Sequence, residues 1–307
     1  MPPNRTSIPS FGTRVTARVA AILLPLCMFA ICMLAAVPDV LAKDHAIVVH
    51  KMKIAGLHVS VWIPLRSTPG PWPIIIFSHG FYGCDTQVSF LMRALAGVGY
   101  AVFAPAHRDL DCGNVSYWSQ HSEVSFATAG RWNDTTYFDR DQDIERLLNA
   151  LNKDRRYRGP KFDWKHVGLV GHSLGGYTVL GVAGAWPRWK DARVKAVLAL
   201  SPYALPFMDA KTLGHLAVPV MYQGGTHDWM TPFLKMSGGA YEQTSAPKYF
   251  VEFKDIGHRG WTDDYPRQHE EIVKYGEAFL DRYLKGKPIP AALLKPNPDI
   301  ADLKYQQ

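Results

Sequence analysis

Gly171-His172-Ser173-Leu174-Gly175-Gly176 decides how this chain is read. The pattern is G-x-S-x-G with one more glycine behind it. An apolar run, Trp164 to Val170, leads into it and reads as a strand, and small residues from Tyr177 to Gly184 follow it and read as a helix. A serine on so sharp a strand-to-helix turn is held in an unfavourable backbone conformation, and a side chain at Gly171 or Gly175 would collide with neighbouring backbone. The helix that starts behind Ser173 points its first amides at any negative charge developing there. A glycine-rich packing corner has the same local pattern, so the surrounding segments must decide.

Upstream, Pro73 to Phe77 is a nearly continuous apolar run suited to a strand buried on both faces, and it ends in Ser78-His79-Gly80-Phe81-Tyr82-Gly83. A turn at this place supplies backbone donors to an oxyanion, so the N–H groups of Phe81 and Leu174 are the expected pair. The His79 side chain is read as structural, bonded to nearby loop backbone. Downstream, Val218 to Gln223 reads as a strand ending in Gly224-Gly225, with Asp228 just beyond. Tyr249 to Phe253 is the next strand, with His258 beyond it. In the order Ser173, Asp228, His258, the serine attacks a carbonyl, the histidine takes its proton, and the aspartate orients and stabilises the imidazolium. Asp255 competes as the acid but precedes His258 by too little chain to face its ring. His227 competes as the base but sits beside the acid.

With these parts in place the chain resembles the α/β-hydrolases. Within them it is similar to the dienelactone hydrolase-like group, near the platelet-activating-factor acetylhydrolase-like serine esterases and the bacterial cutinase branch. The matching residues are Ile76 to Phe81, Ala101 to Asp109, Arg140 with Asp143, the Ser173 turn, and the Asp228 and His258 loops. The resemblance implies an α/β fold: a mostly parallel central sheet with helices on both faces. It also implies a serine carboxylic-ester hydrolase working through an acyl-enzyme. Two departures stand out. Polyester hydrolases of this branch tend to carry Trp where this chain has His172, and dienelactone hydrolases proper use cysteine where it has Ser173. Acyl transfer, peptide cleavage, or binding without catalysis are the rival functions. The peptidases of this fold usually carry an added propeller or large cap.

Arg14 and Arg18 precede an apolar stretch from Val19 to Val37, and Val40-Leu41-Ala42 offers a cleavage site before Lys43. Residues 1–42 are therefore expected to be a signal peptide, with an uncleaved anchor as the alternative. The hydrolase domain is expected over 43–307, with periplasmic or extracellular residence and no stable membrane insertion after cleavage. Cys84 and Cys112 are then the cysteines that remain. The resembled fold brings their loops to one edge of the sheet, and an oxidising compartment favours a disulfide there over two free thiols.

The formal net charge is +7, of which Arg5, Arg14, Arg18 and Asp39 contribute +2, leaving about +5 beyond residue 42. No basic run points to nucleic acid, and no motif calls for a nucleotide, a metal or any other cofactor. Residues 110–138 are long, polar and aromatic, with Phe126, Trp132, Tyr137 and Phe138, so they read as a lid or insertion whose rings line a pocket or anchor the loop. Tyr82, Trp229 and Trp261 lie near the candidate catalytic groups in sequence and are expected to line a pocket for a small or medium apolar ester. Arg108, Asp109 and Arg140 are read as a loop clamp. A last amphipathic helix is expected over Ile272 to Leu284, and 286–307 as a tail that wraps the surface or is loose.

Overall fold

Ile74, Ile75, Ile76 and Phe77 are all completely buried, because their side chains alternate between two apolar layers on opposite faces of one sheet. The computed structural model describes residues 47–65, 68–112, 122–157, 159, 161–295 and 297–307. The chain divides into Met1–Lys43 and Asp44–Gln307, and every described residue belongs to the second unit. The expected signal peptide and the middle of the 110–138 segment, including Tyr117 and Trp118, lie outside the described residues.

Among the described residues the first elements are β1 (Ile47–Ile54) and β2 (Leu57–Pro64), an antiparallel hairpin. Then come β3 (Trp72–Ser78), α1 (Ser89–Gly97), β4 (Ala101–Pro105), α2 (Phe138–Lys153) and β5 (Phe162–His172). α3 (Leu174–Leu180), β6 (Val194–Leu200), α4 (Leu205–Ala210), β7 (Val220–His227), α5 (Thr231–Lys235) and α6 (Ala240–Gln243) follow. The chain closes with β8 (Lys248–Gly257), α7 (His269–Leu284) and β9 (Ile300–Gln306). The strand order is β1-β2-β4-β3-β5-β6-β7-β8-β9. The six strands from β4 to β8 run parallel, and antiparallel strands flank them.

One face is covered by α2 and α3, whose Ile144, Leu147, Leu148, Leu174 and Tyr177 pack over Ile74 and Ile76. The other is covered by α1 and α7, through Leu91, Met92, Leu95, Ile272, Phe279 and Leu280, over Ile75 and Phe77. The apolar spacing of Ile272, Tyr275, Phe279 and Tyr283 is thus the packed side of α7, with Tyr283 partly buried at its end. The tail from residue 286 ends as a strand. β9 pairs antiparallel with β8, and the Tyr305 ring stacks on Tyr249.

From β3 the chain moves outward to β4, then returns past β3 to start β5. The order therefore reverses between β3 and β5, whose register ends at Ser78 opposite Gly171. At such a switch point the loops leaving the two strands diverge and open a crevice at their carboxyl ends. Those two loops are the Phe81 turn and the Ser173 turn.

Candidate active site

Ser173 stands at φ 55°, ψ −115°, a conformation that only a tightly held turn retains. Its N–H donates to Leu200 C=O at 3.0 Å, and its own C=O accepts from Tyr177 and Tyr203 N–H at 3.1 and 3.0 Å. The glycines have no room for substitution. A Cβ on Gly171 would lie 2.2 Å from Gly175 O, and one on Gly175 would lie 1.9 Å from Ser78 O. The backbone of β3 therefore runs hard against the start of α3, which sets the Phe81 turn beside the serine. A Cβ on Gly80 would come within 3.5 Å of Ser173 Cβ. Among the described residues, the N–H groups of Phe81 and Leu174 donate to no protein acceptor, so both remain available to an anionic oxygen.

The structure brings Ser173, His258 and Asp228 into one hydrogen-bonded chain. His258 Nε2 lies 2.9 Å from Ser173 Oγ, and His258 Nδ1 lies 3.0 Å from Asp228 Oδ1. Because a carboxylate only accepts, Nδ1 carries the proton and Nε2 is left to accept from the serine hydroxyl. Asp228 is buried, whereas Ser173 and His258 are half-buried and open to the surface. Burial alone would push Asp228 up. Hydrogen bonds from His258, Ser201 Oγ and Met230 N–H, with the histidine charge, outweigh it and hold the carboxyl below its usual range. The competitors are elsewhere occupied: His227 and Asp255 face each other at 4.0 Å, both well exposed.

His172, the residue before the serine, holds the loop that carries His258. Its Nε2–H donates to His258 C=O at 2.9 Å. Burial, reinforced by the neighbouring His258, pushes it down to about 3, so it is neutral. Beside it, Gln87 Oε1 accepts from Gly80 N–H at 2.9 Å, which ties the Phe81 turn to α1's approach.

Beneath that turn lies a buried polar layer. Arg140, completely buried, donates to His79 C=O at 2.7 Å and Gly80 C=O at 3.3 Å, and grips both oxygens of Asp109 at 2.7 and 2.8 Å. Burial would raise Asp109, but the guanidinium holds it below its usual range. The expected clamp is therefore Arg140 with Asp109; Arg108 pairs instead with Glu123 and Asp139 at the surface. His79 Nδ1–H donates to Gly80 C=O, and its Nε2 accepts from His107 N–H at 3.1 Å. His107 accepts from Ser78 Oγ and donates to Asp143, each at 2.9 Å. Burial and then Arg140 lower both histidines, so both are neutral.

Of the expected pocket residues, Trp229 is 55% exposed with its ring 5.3 Å from that of His258. Tyr82 is half-buried against Phe81, ring to ring at 4.4 Å. Trp261 is a correction: it is completely buried, its Nε1–H bonded to Gln223 Oε1 at 3.1 Å, and it packs beneath His172 rather than lining the site. Trp261 is near His258 in sequence but not in the site, because the chain, still exposed at Arg259, turns inward from Gly260.

The described part of the 110–138 segment is anchored and also flanks the site. Phe126 packs edge-on against Phe81 at 5.2 Å and Tyr203 at 4.9 Å. Trp189 Nε1–H donates to Asp134 C=O, and Tyr177 O–H to Thr136 C=O. Cys84 and Cys112 form a disulfide, with Cα atoms 4.8 Å apart. Among the described residues, Cys84, Asp85 and Cys112 are the one close group of metal-ligating types, and the disulfide takes two of the three. Sequence reasoning missed Ser201, Gln87 and the roles of His107 and Asp143. Ser201 did carry a signal, being a polar residue at the C-terminal end of a parallel strand.

Residues 75–303 match the model of the alpha/beta hydrolase family. The chain belongs to that family. Two curated proteins are similar to this α/β-hydrolase. Platelet-activating factor acetylhydrolase of Gallus gallus is 24% identical over 254 residues, covering 66% of this chain and 57% of that protein. Chlorophyllase type 0 of Chenopodium album is 22% identical over 230 residues, covering 73% of this chain and 60% of that protein. The α/β-hydrolase thus spans less than two thirds of the length of each. Among the described residues, no helix is long and apolar enough to cross a membrane.

Proposed function

We propose that this α/β-hydrolase cleaves carboxylic esters through Ser173, His258 and Asp228. The observation that carries the reading is the unbroken Ser173–His258–Asp228 hydrogen-bond chain on a strained turn. Ser173 Oγ attacks the ester carbonyl carbon while His258 Nε2 takes its proton. The resulting oxyanion accepts from the N–H groups of Phe81 and Leu174, each such donor supplying roughly 3–4 kcal/mol. Collapse expels the alcohol, which takes the proton from His258. A water molecule, deprotonated by His258 in turn, attacks the acyl-serine and releases the acid.

Phe81, Tyr82, Phe126 and Trp229 give the surroundings an aromatic character, which suits a small or medium apolar ester. Similarity to a protein named an acetylhydrolase favours a short acyl group. The disulfide, together with the apolar Val19–Val37 stretch, supports export to the periplasm or beyond. An ester panel of graded acyl length, run with and without an alcohol acceptor, tests the reading. Hydrolysis of short esters, abolished in Ser173→Ala, is expected. Acyl transfer to the alcohol in place of hydrolysis, or no turnover of any ester, overturns it.

A further inference from the structure

We propose that Ser201 is a positioning residue of this site, acting on Asp228 and His258 at once; this rests on the ester-hydrolase reading above. Ser201 lies immediately after β6, between the strand that carries Ser173 and the strand that carries Asp228. It is completely buried at φ +43°, with its N–H bonded to Gln223 C=O at 2.8 Å. Its Oγ is hydrogen-bonded to Asp228 Oδ2 and lies 2.8 Å from His258 Nδ1.

The directions of these bonds follow from what each group can do. The carboxylate accepts only, so the Ser201 O–H donates to Asp228 Oδ2. Its lone pairs then face the Nδ1–H of His258, which is shared between Asp228 Oδ1 at 3.0 Å and Ser201 Oγ at 2.8 Å. Asp228 is fixed at both oxygens, because Met230 N–H donates to Oδ1 at 3.0 Å. With Ser201 present, rotation of the carboxylate or a flip of the imidazole would each break three bonds rather than two. A side chain fixed at a strand end holds such geometry better than one on a free loop. It follows that Ser201 remains an acceptor for Nδ1–H when Asp228 is removed.

The test is a double-mutant cycle of Ser201→Ala and Asp228→Ala. Ser201→Gly accompanies it, since glycine takes the positive φ without strain. kcat and KM are measured on the best ester of the panel, with kcat expressed per site titrated by a fluorophosphonate. Both Ser201 variants should lower kcat about tenfold or more, the loss typical of a hydrogen bond to a charged group, with KM within about twofold. Removing Ser201 in the Asp228→Ala background should lower kcat by a larger factor than in the wild type, because it is then the last acceptor. Unchanged kcat in both Ser201 variants, or single effects that simply multiply, overturns the proposal. Absence of ester hydrolysis in the wild type, or its persistence in Ser173→Ala, would instead defeat the ester-hydrolase reading, and the role of Ser201 with it.

Discussion

Arg140 shows how a single buried charge shapes a site it never touches. Its guanidinium spans the carbonyls of His79 and Gly80 and the Asp109 carboxylate, so it fixes the turn whose next amide belongs to Phe81. A lysine carries the same charge but lacks the planar fork that reaches all three at once. Arg140→Lys should therefore fold and lose kcat more than KM, as the Phe81 amide drifts from its aim. Arg140→Met would strand a carboxylate that is only 14% exposed, and removing one partner of such a pair costs about 3–5 kcal/mol. Urea unfolding of the two variants, with kcat of the lysine form, checks both statements. Wild-type kcat in Arg140→Lys would separate the clamp from the turn's function.

Helix α2 brings a carboxylate to an unfavourable place. Asp141 is buried at the edge of a polar cavity of about 280 Å³ that it shares with Glu145, Arg188 and Asp191. Burial first, and then repulsion from Glu145 and Asp191, push it up from 3.8 to about 7. Because the folded value lies above the unfolded one, its contribution to stability is full below pH 3.8 and is lost as pH rises through 7. Asp141→Asn should raise the urea midpoint at pH 8 and leave it unchanged at pH 3.5; equal shifts at both would remove burial as the cause. The loops after β3 and β4 form another local unit. Gly83 C=O accepts from Asp111 N–H at 3.2 Å, and the Cys84–Cys112 bond closes the same 28-residue separation. On the chain-entropy view that closure contributes about 3–4 kcal/mol. Since Cys84 follows Phe81 so closely, reduction should lower turnover together with Tm. Unchanged turnover in fully reduced enzyme would show that the bond steadies the loops without steadying the turn.

Across the molecule, the parts readable in the sequence were those with a local physical signature. Strained glycine turns, continuous apolar strands and the 3.6-residue spacing of α7 all depend on near neighbours, and they carry the resemblance that implies a mostly parallel sheet and names Ser173, Asp228 and His258; the strand order itself is set by pairing between segments distant in sequence. β9 was not readable, because a half-exposed polar strand such as Ala301-Asp302-Leu303-Lys304 gains its conformation from pairing with the edge of β8. Ser201 and Trp261 escaped for a related reason: one is recruited, and the other buried, by segments distant in sequence. The proposal that Ser173 is the nucleophile gathers all of these parts into one expectation. The most direct measurement is peptide mapping by mass spectrometry after reaction with a fluorophosphonate. One phosphonyl group per chain on Ser173, with complete loss of ester hydrolysis, is the outcome expected here; a label on any other residue, or hydrolysis that survives full labelling of Ser173, would contradict it.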